Sequence, residues 1–209
     1  MEFQKVKKFI LKKLKKELPK NLTYHSAEHI KDVYSSAKIL AKMEGVKGED
    51  RTLLLTAVLF HDSGFLWQQY EHERVSCEIV REYLPAYDYS YEQIGRICGM
   101  IMATKIPQTP HNLLEQIICD ADLDYLGRDD FFKIGNGLYE ELCMYGIINS
   151  ENEWNRLQLG FLEKHTYFTA SAQKLRKPKK DEYIAMVNAQ LQDEKSGKRY
   201  VPPLGTMAK

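Results

Sequence analysis

Apolar residues recur along this chain at spacings of three and four, the pattern of helices with one buried face. Phe3, Val6, Phe9, Ile10, Leu14 and Leu18 form one stripe with lysines between them. This predicts a helix over 3–18, ended by Pro19. A second is expected over 26–44, with Ser26 as N-cap and Gly45 beyond its end. The third, 49–62, carries Leu53, Leu54, Leu55, Ala57, Val58, Leu59 and Phe60. A helix that is apolar on all sides belongs at the centre of a bundle. Further helices are expected over 73–84, 91–103, 112–126 and 130–145, the last capped by Asp129. A long helix over 151–177, opened by a Ser150…Glu153 capping box, and a final one over 181–194 complete the set. Thr104 to His111 holds two prolines and reads as a loop. Period-two alternation, internal repeats and low-complexity linkers are missing. The expected class is an all-α, single-domain helical bundle of about eight or nine helices. A basic amphipathic helix over 1–20 packs on a body over 21–195, and a polar tail follows over 196–209.

Composition agrees with one ordinary folded domain: 209 residues, 44% hydrophobic and 28% charged. The longest strongly apolar stretch, Leu53 to Phe60, is far shorter than the roughly 20 residues of a membrane span. The lysine-rich start lacks the apolar segment and cleavage site of a signal peptide. Four cysteines, Cys77, Cys98, Cys119 and Cys143, sit inside apolar helical patterns without a CxxC pair. Buried free thiols in a reducing cytoplasm are the expectation. The net charge of +1 hides a contrast: residues 1–20 carry +6 and 174–209 carry +5, which leaves −10 over 21–173. An acidic centre suits a cation and repels long nucleic acid.

Three places break the helical pattern. His25 and His29 are four apart, and His29 falls among the apolar positions Ile30 and Val33. A core histidine bonded to backbone and a ligand both fit that placement. His61-Asp62 closes the most apolar helix, where the pair wants either water or a cation. A helix-end histidine on the dipole beside an exposed Asp is the alternative. In Ile117-Ile118-Cys119-Asp120-Ala121-Asp122-Leu123-Asp124, helical spacing turns Asp122 inward with Ile118 and Tyr125, while Asp120 and Asp124 diverge. Together, two imidazoles and two carboxylates make a mixed ligand set suited to Mn, Fe, Co, Ni, Zn or Mg. Helical bundles regularly build such sites from facing helices.

The ordered set His29, His61-Asp62 and Asp122 resembles the HD-domain superfamily of metal-dependent phosphohydrolases. The likeness spans about residues 22–130 and includes Leu59-Phe60-His61-Asp62-Ser63-Gly64 and Ala121-Asp122-Leu123. It implies an HD-type helical fold, one divalent ion held by His29, His61, Asp62 and Asp122, and phosphoester hydrolysis. Tyr24-His25-x-x-x-His29 is similar to the YHNxxH motif of cyclic-nucleotide phosphodiesterases, with Ser26 in place of Asn. That likeness implies His25 as general acid. Two-metal members of the superfamily add histidines after HD. His72 stands where the first often lies, and no histidine stands near Ala103-Thr104-Lys105 for the second. One firmly held metal is therefore expected.

The expected reaction uses a metal-activated water, with Asp62 or Asp122 accepting a proton and His25 protonating the leaving oxygen. His72, Lys105 and Arg128 are candidates for contacting the substrate, with Arg96 as a further cation. Trp67, Tyr70 and Tyr125 can stack on a base, though core packing fits each better. His111 and His165 read as structural. The expected partner is a small phosphorylated molecule, a nucleotide above all, with homodimerisation allowed. A degenerate module that senses a nucleotide without turnover is the competing class. A third is an interaction protein that works through the basic N-terminal helix.

Overall fold

The structure is a computed structural model that describes residues 1–195. The tail expected over 196–209 lies outside the described residues. Nine α-helices are present among the described residues: α1 (Phe3–Glu17), α2 (Ala27–Met43), α3 (Gly48–Phe60), α4 (His72–Tyr83), α5 (Tyr91–Ala103), α6 (Leu113–Asp122), α7 (Phe131–Met144), α8 (Glu151–Lys164) and α9 (Ala170–Lys195). Short 3-10 turns cover Ser63–Leu66, Leu84–Tyr87 and Asp124–Gly127. Helix α3 is the axis of the bundle. Its residues from Leu53 to Phe60 are all buried, because α1, α2, α4, α5 and α6 pack around it. Val6, Ile10 and Leu14 of α1 form the stripe that rests on α3. Burying each contributes roughly 1.5–3 kcal/mol.

Capping explains several helix starts. Ser90 and Gln93 form a complete capping box on α5. At α8, Ser150 accepts the Glu153 amide, but Glu153 reaches back to the Asn149 amide instead of that of Ser150. Cys77, Cys98 and Cys119 are buried, and Cys143 is half-buried. No helix among the described residues is long and apolar enough to cross a membrane.

Two expectations about the C-terminal half change. The helix expected over 151–177 is interrupted after Lys164, and α9 runs unbroken through Pro178. Tertiary bonds set both outcomes. Asp120 accepts the amides of Phe168 and Thr169 at 2.8 Å each and the Thr169 hydroxyl at 2.7 Å. These donors need residues 165–169 out of helical conformation. Lys180, buried on α9, donates to the free carbonyls of Leu162 and His165 at the end of α8. Likewise the helix expected over 112–126 stops at Asp122, and a 3-10 turn presents Asp124 to Arg176 Nε at 2.7 Å and Ser36 Oγ at 2.9 Å. Gly127 lets α9 approach closely: a Cβ there would lie 2.3 Å from the Arg176 carbonyl oxygen.

Candidate metal centre

Three segments meet at one point. His29 lies in the first turn of α2, where the N-cap Ser26 accepts its amide at 3.3 Å. His61 caps the C-terminus of α3 and Asp62 follows it. Asp122 ends α6. Two helices thus bring their C-terminal ends, with their partial negative charge, to the same place.

His29 Nε2 lies 3.1 Å from Asp122 Oδ1 and 3.4 Å from Asp62 Oδ2. His61 Nε2 lies 3.2 Å and 3.3 Å from the same two oxygens. On its other side, His61 Nδ1 is 2.9 Å from the Val58 carbonyl. A carbonyl only accepts, so Nδ1 carries the proton and donates. In its neutral form, the form that ligates a cation, the ring turns a bare lone pair at Nε2 toward two carboxylate oxygens. Asp62 Oδ2 is buried without any hydrogen-bond partner. Such an arrangement is costly until a cation or a proton enters it. Ligand atoms of His29, His61 and Asp122 all fall within 4.8 Å of one another. The donor chemistry and the orphaned oxygen fit a divalent ion held by His29, His61, Asp62 and Asp122.

Without a cation, the charges answer each other. Burial alone lowers the His61 pKa, but Asp62 and Asp122 outweigh it and hold the imidazole well above its usual value. Burial raises both carboxylates, yet the facing imidazoles win and hold Asp62 and Asp122 below the ordinary range. Ser76 supports the turn by donating to the His61 carbonyl and accepting the Gly64 amide, both at 2.7 Å. A Cβ at Gly64 would sit 2.0 Å from the His72 carbonyl oxygen, so only glycine lets α4 start this close.

Two further histidines border the cluster. His25 Nδ1 is 2.5 Å from Glu141 Oε1. The other oxygen of Glu141 accepts the amides of Tyr24 and His25 at 3.0 and 3.1 Å. Burial raises the Glu141 pKa, but the bond and charge of His25 prevail and hold it below the usual range. The ionised carboxylate fixes the proton on Nδ1 and leaves Nε2 for chemistry. The His25 ring stacks on Phe65 at 4.1 Å. His72 Nδ1 faces the Gln69 carbonyl at 3.2 Å, and Nε2 lies 3.4 Å from Asp62 Oδ1 and 3.5 Å from Glu73 Oε1.

His25, Asp62, His72 and Asp122 all line one cavity of about 390 Å³, which Thr104 and Ile106 of the Pro-rich loop also border. Lys105, Arg128 and Arg96 are not brought to it. Lys105 is exposed, 3.5 Å from Glu71. Arg96 pairs with Asp50 on the surface at 2.6 Å. Arg128 is spread over Asp32, Asp124 and Asp130, so its guanidinium is already engaged in holding the fold. Tyr125 is buried in the core and lines the cavity. Trp67 and Tyr70, expected to pack inside, are 55% and 80% exposed.

Glu141 and Glu73 are not among the site residues expected from the sequence. Both carried a signal: Glu141 shares a helical face with Phe131, Ile134, Leu138 and Leu142, and Glu73 shares one with Ser76, Cys77 and Val80. A carboxylate on an apolar face is the same break in pattern that marked Asp122.

Residues 26–124 match the family model of the HD domain. Over that segment, just under half of the chain, the sequence is similar to the HD domain. All four candidate ligands lie within the matched HD segment, and His25 stands one residue before it. No curated protein matches the sequence. Among solved structures, a predicted HD superfamily hydrolase from an uncultured Thermotogales bacterium is 17% identical, with a TM-score of 0.61 over 91% of this chain and 92% of that one. A Lactobacillus plantarum protein is also 17% identical, with a TM-score of 0.64 over 92% of this chain and 99% of that one. At this identity the likeness is one of fold, and it extends the shared architecture beyond the HD segment into α7, α8 and α9.

Proposed function

We propose that this HD protein is a metal-dependent phosphohydrolase acting on a small phosphoester, with nucleotides as the expected class. The observation that carries the reading is the buried, unpartnered Asp62 Oδ2 among converging imidazole nitrogens at the edge of a cavity. A divalent ion bound there supplies a water of lowered pKa and polarises the phosphoryl oxygen. Asp62 and Asp122, ionised and adjacent, accept the proton released by the attacking water. His25, with Nδ1 tied to Glu141, protonates the departing oxygen through Nε2. Asp62 presents its second oxygen to His72, which orients the carboxylate from the cavity side.

The test combines metal analysis with turnover of phosphomonoesters and phosphodiesters in Mn or Co. Asp62→Ala is expected to lose both metal and activity. His25→Ala is expected to keep the metal and lose about 10²–10⁴-fold in rate. Full metal content and activity in Asp62→Ala would overturn the proposal. Loss of metal in His25→Ala would make His25 a ligand. Tight nucleotide binding without turnover under every metal would turn the reading to a sensor.

A further inference from the structure

The cavity beside the candidate metal centre has two unlike walls. One carries the histidines and carboxylates. The other comes from α7 and α8, where Leu138, Leu142, Trp154, Leu157, Phe161 and Leu162 face the space. Gln158, 7% exposed, is the single amide on that second wall. Among the described residues, no lysine or arginine lines the cavity, and three carboxylates do: Asp62, Glu73 and Asp122.

This composition discriminates among phosphate esters. A polyphosphate brings several negative charges that must leave water together. Beside three carboxylates and with no lysine or arginine among the lining residues to offset them, that burial is strongly unfavourable. A single phosphoryl group needs only the divalent ion for which the donor set is fit. The rest of the ligand then meets leucine and aromatic side chains, which reward an uncharged apolar body. The Gln158 amide offers that body one point of hydrogen bonding.

We propose that the substrate is an ester with a single phosphoryl group and an uncharged, largely apolar body seated against α7 and α8. This rests on the phosphohydrolase reading. Of the nucleotides, it admits those with one phosphate and bars di- and triphosphates.

The experiment separates the seat from the chemistry. The chain has two tryptophans, so Trp67→Phe leaves Trp154 as a reporter inside the cavity. Alkyl phosphonates from ethyl to octyl, which have no ester bond to hydrolyse, are titrated into the Mg-loaded protein. Each buried methylene is expected to tighten binding about fourfold. Adding Leu157→Asn or Leu142→Asn is expected to flatten that gradient. Leu157 is nearly half exposed, so its replacement spares the fold. A flat gradient in the Trp67→Phe protein would overturn the apolar seat. In turnover, octyl phosphate and nucleoside monophosphates are expected to exceed the matching triphosphates at least ~100-fold in kcat/KM. A preference for triphosphates would overturn the proposal. Graded binding with no turnover of any ester would instead sink the hydrolase reading and uphold the seat.

Discussion

Asp122 and Asp124 are two residues apart, both withdrawn from solvent, and built into opposite surroundings. Asp124 is 2% exposed and fully partnered, by Arg176, Ser36 and Arg128. Asp120, on the other side, is equally well supplied by Phe168 and Thr169. Asp122 instead faces two imidazole nitrogens that it shares with Asp62, whose own oxygen has no partner. Native proteins satisfy nearly all their buried polar atoms. The deficit at Asp62 lies among converging ligand atoms, while Asp120 and Asp124 beside it are complete, and that contrast separates a place for a ligand from a place that holds helices together.

The comparison breaks most sharply in paired variants. Asp124→Ala strands the half-buried Arg176 and takes a partner from Ser36, while Arg128 keeps Asp32 and Asp130, and it is expected to cost about 3 kcal/mol in urea unfolding. Asp122→Ala leaves Asp62 to partner both imidazoles. In chelator it is expected to change stability by no more than about 1.5 kcal/mol. In metal it should lose more than ~100-fold in activity, beyond the usual effect of supporting groups. Equal stability losses in the two variants would erase the distinction.

Glu141→Gln tests whether a complete buried carboxylate can also serve the site. It keeps the shape but removes the charge that fixes the His25 proton. An activity loss of about 10–100-fold with metal content unchanged is expected. An effect confined to the melting temperature would make Glu141 merely structural.

The smallest effect concerns His165, a second deficient group, whose two ring nitrogens lack partners. Burial first, then the nearby charge of Lys180, lowers its pKa to about 4. A base with a lowered folded pKa stabilises the fold above its unfolded pKa of about 6.5 and loses that contribution as pH falls toward 4. Between pH 7.5 and 5.5, wild type is expected to lose about 1.4 kcal/mol relative to His165→Leu. Parallel pH profiles for the two proteins would show that His165 is not held neutral.

The candidate ligands were legible because each interrupts an apolar run that the chain otherwise keeps. The ordered spacing of His29, His61-Asp62 and Asp122 then named the superfamily. The long-range supports were less visible. Nothing local near His165 announces a helix break; the cause is Asp120, 48 and 49 residues away in sequence. Pro178 reads locally as a stop, yet α9 continues through it, packed against α8 and the turn at Asp124–Gly127. Glu141 meets His25 across 116 residues, so its apolar helical face marks it as inward without naming its partner. Arg128 misled because a cation close to Asp122 in sequence is committed, in space, to three other carboxylates.

The cavity's two walls also come from different passages of the chain. Every candidate ligand falls within residues 26–124, whereas the leucine and tryptophan wall begins only at Leu138. Reactivity and taste are therefore separately editable. Drift or design in α7 and α8 can change which molecule is welcomed without shifting a ligand of the centre. Glu141, reaching from α7 back to His25, is a stitch that any such exchange must preserve.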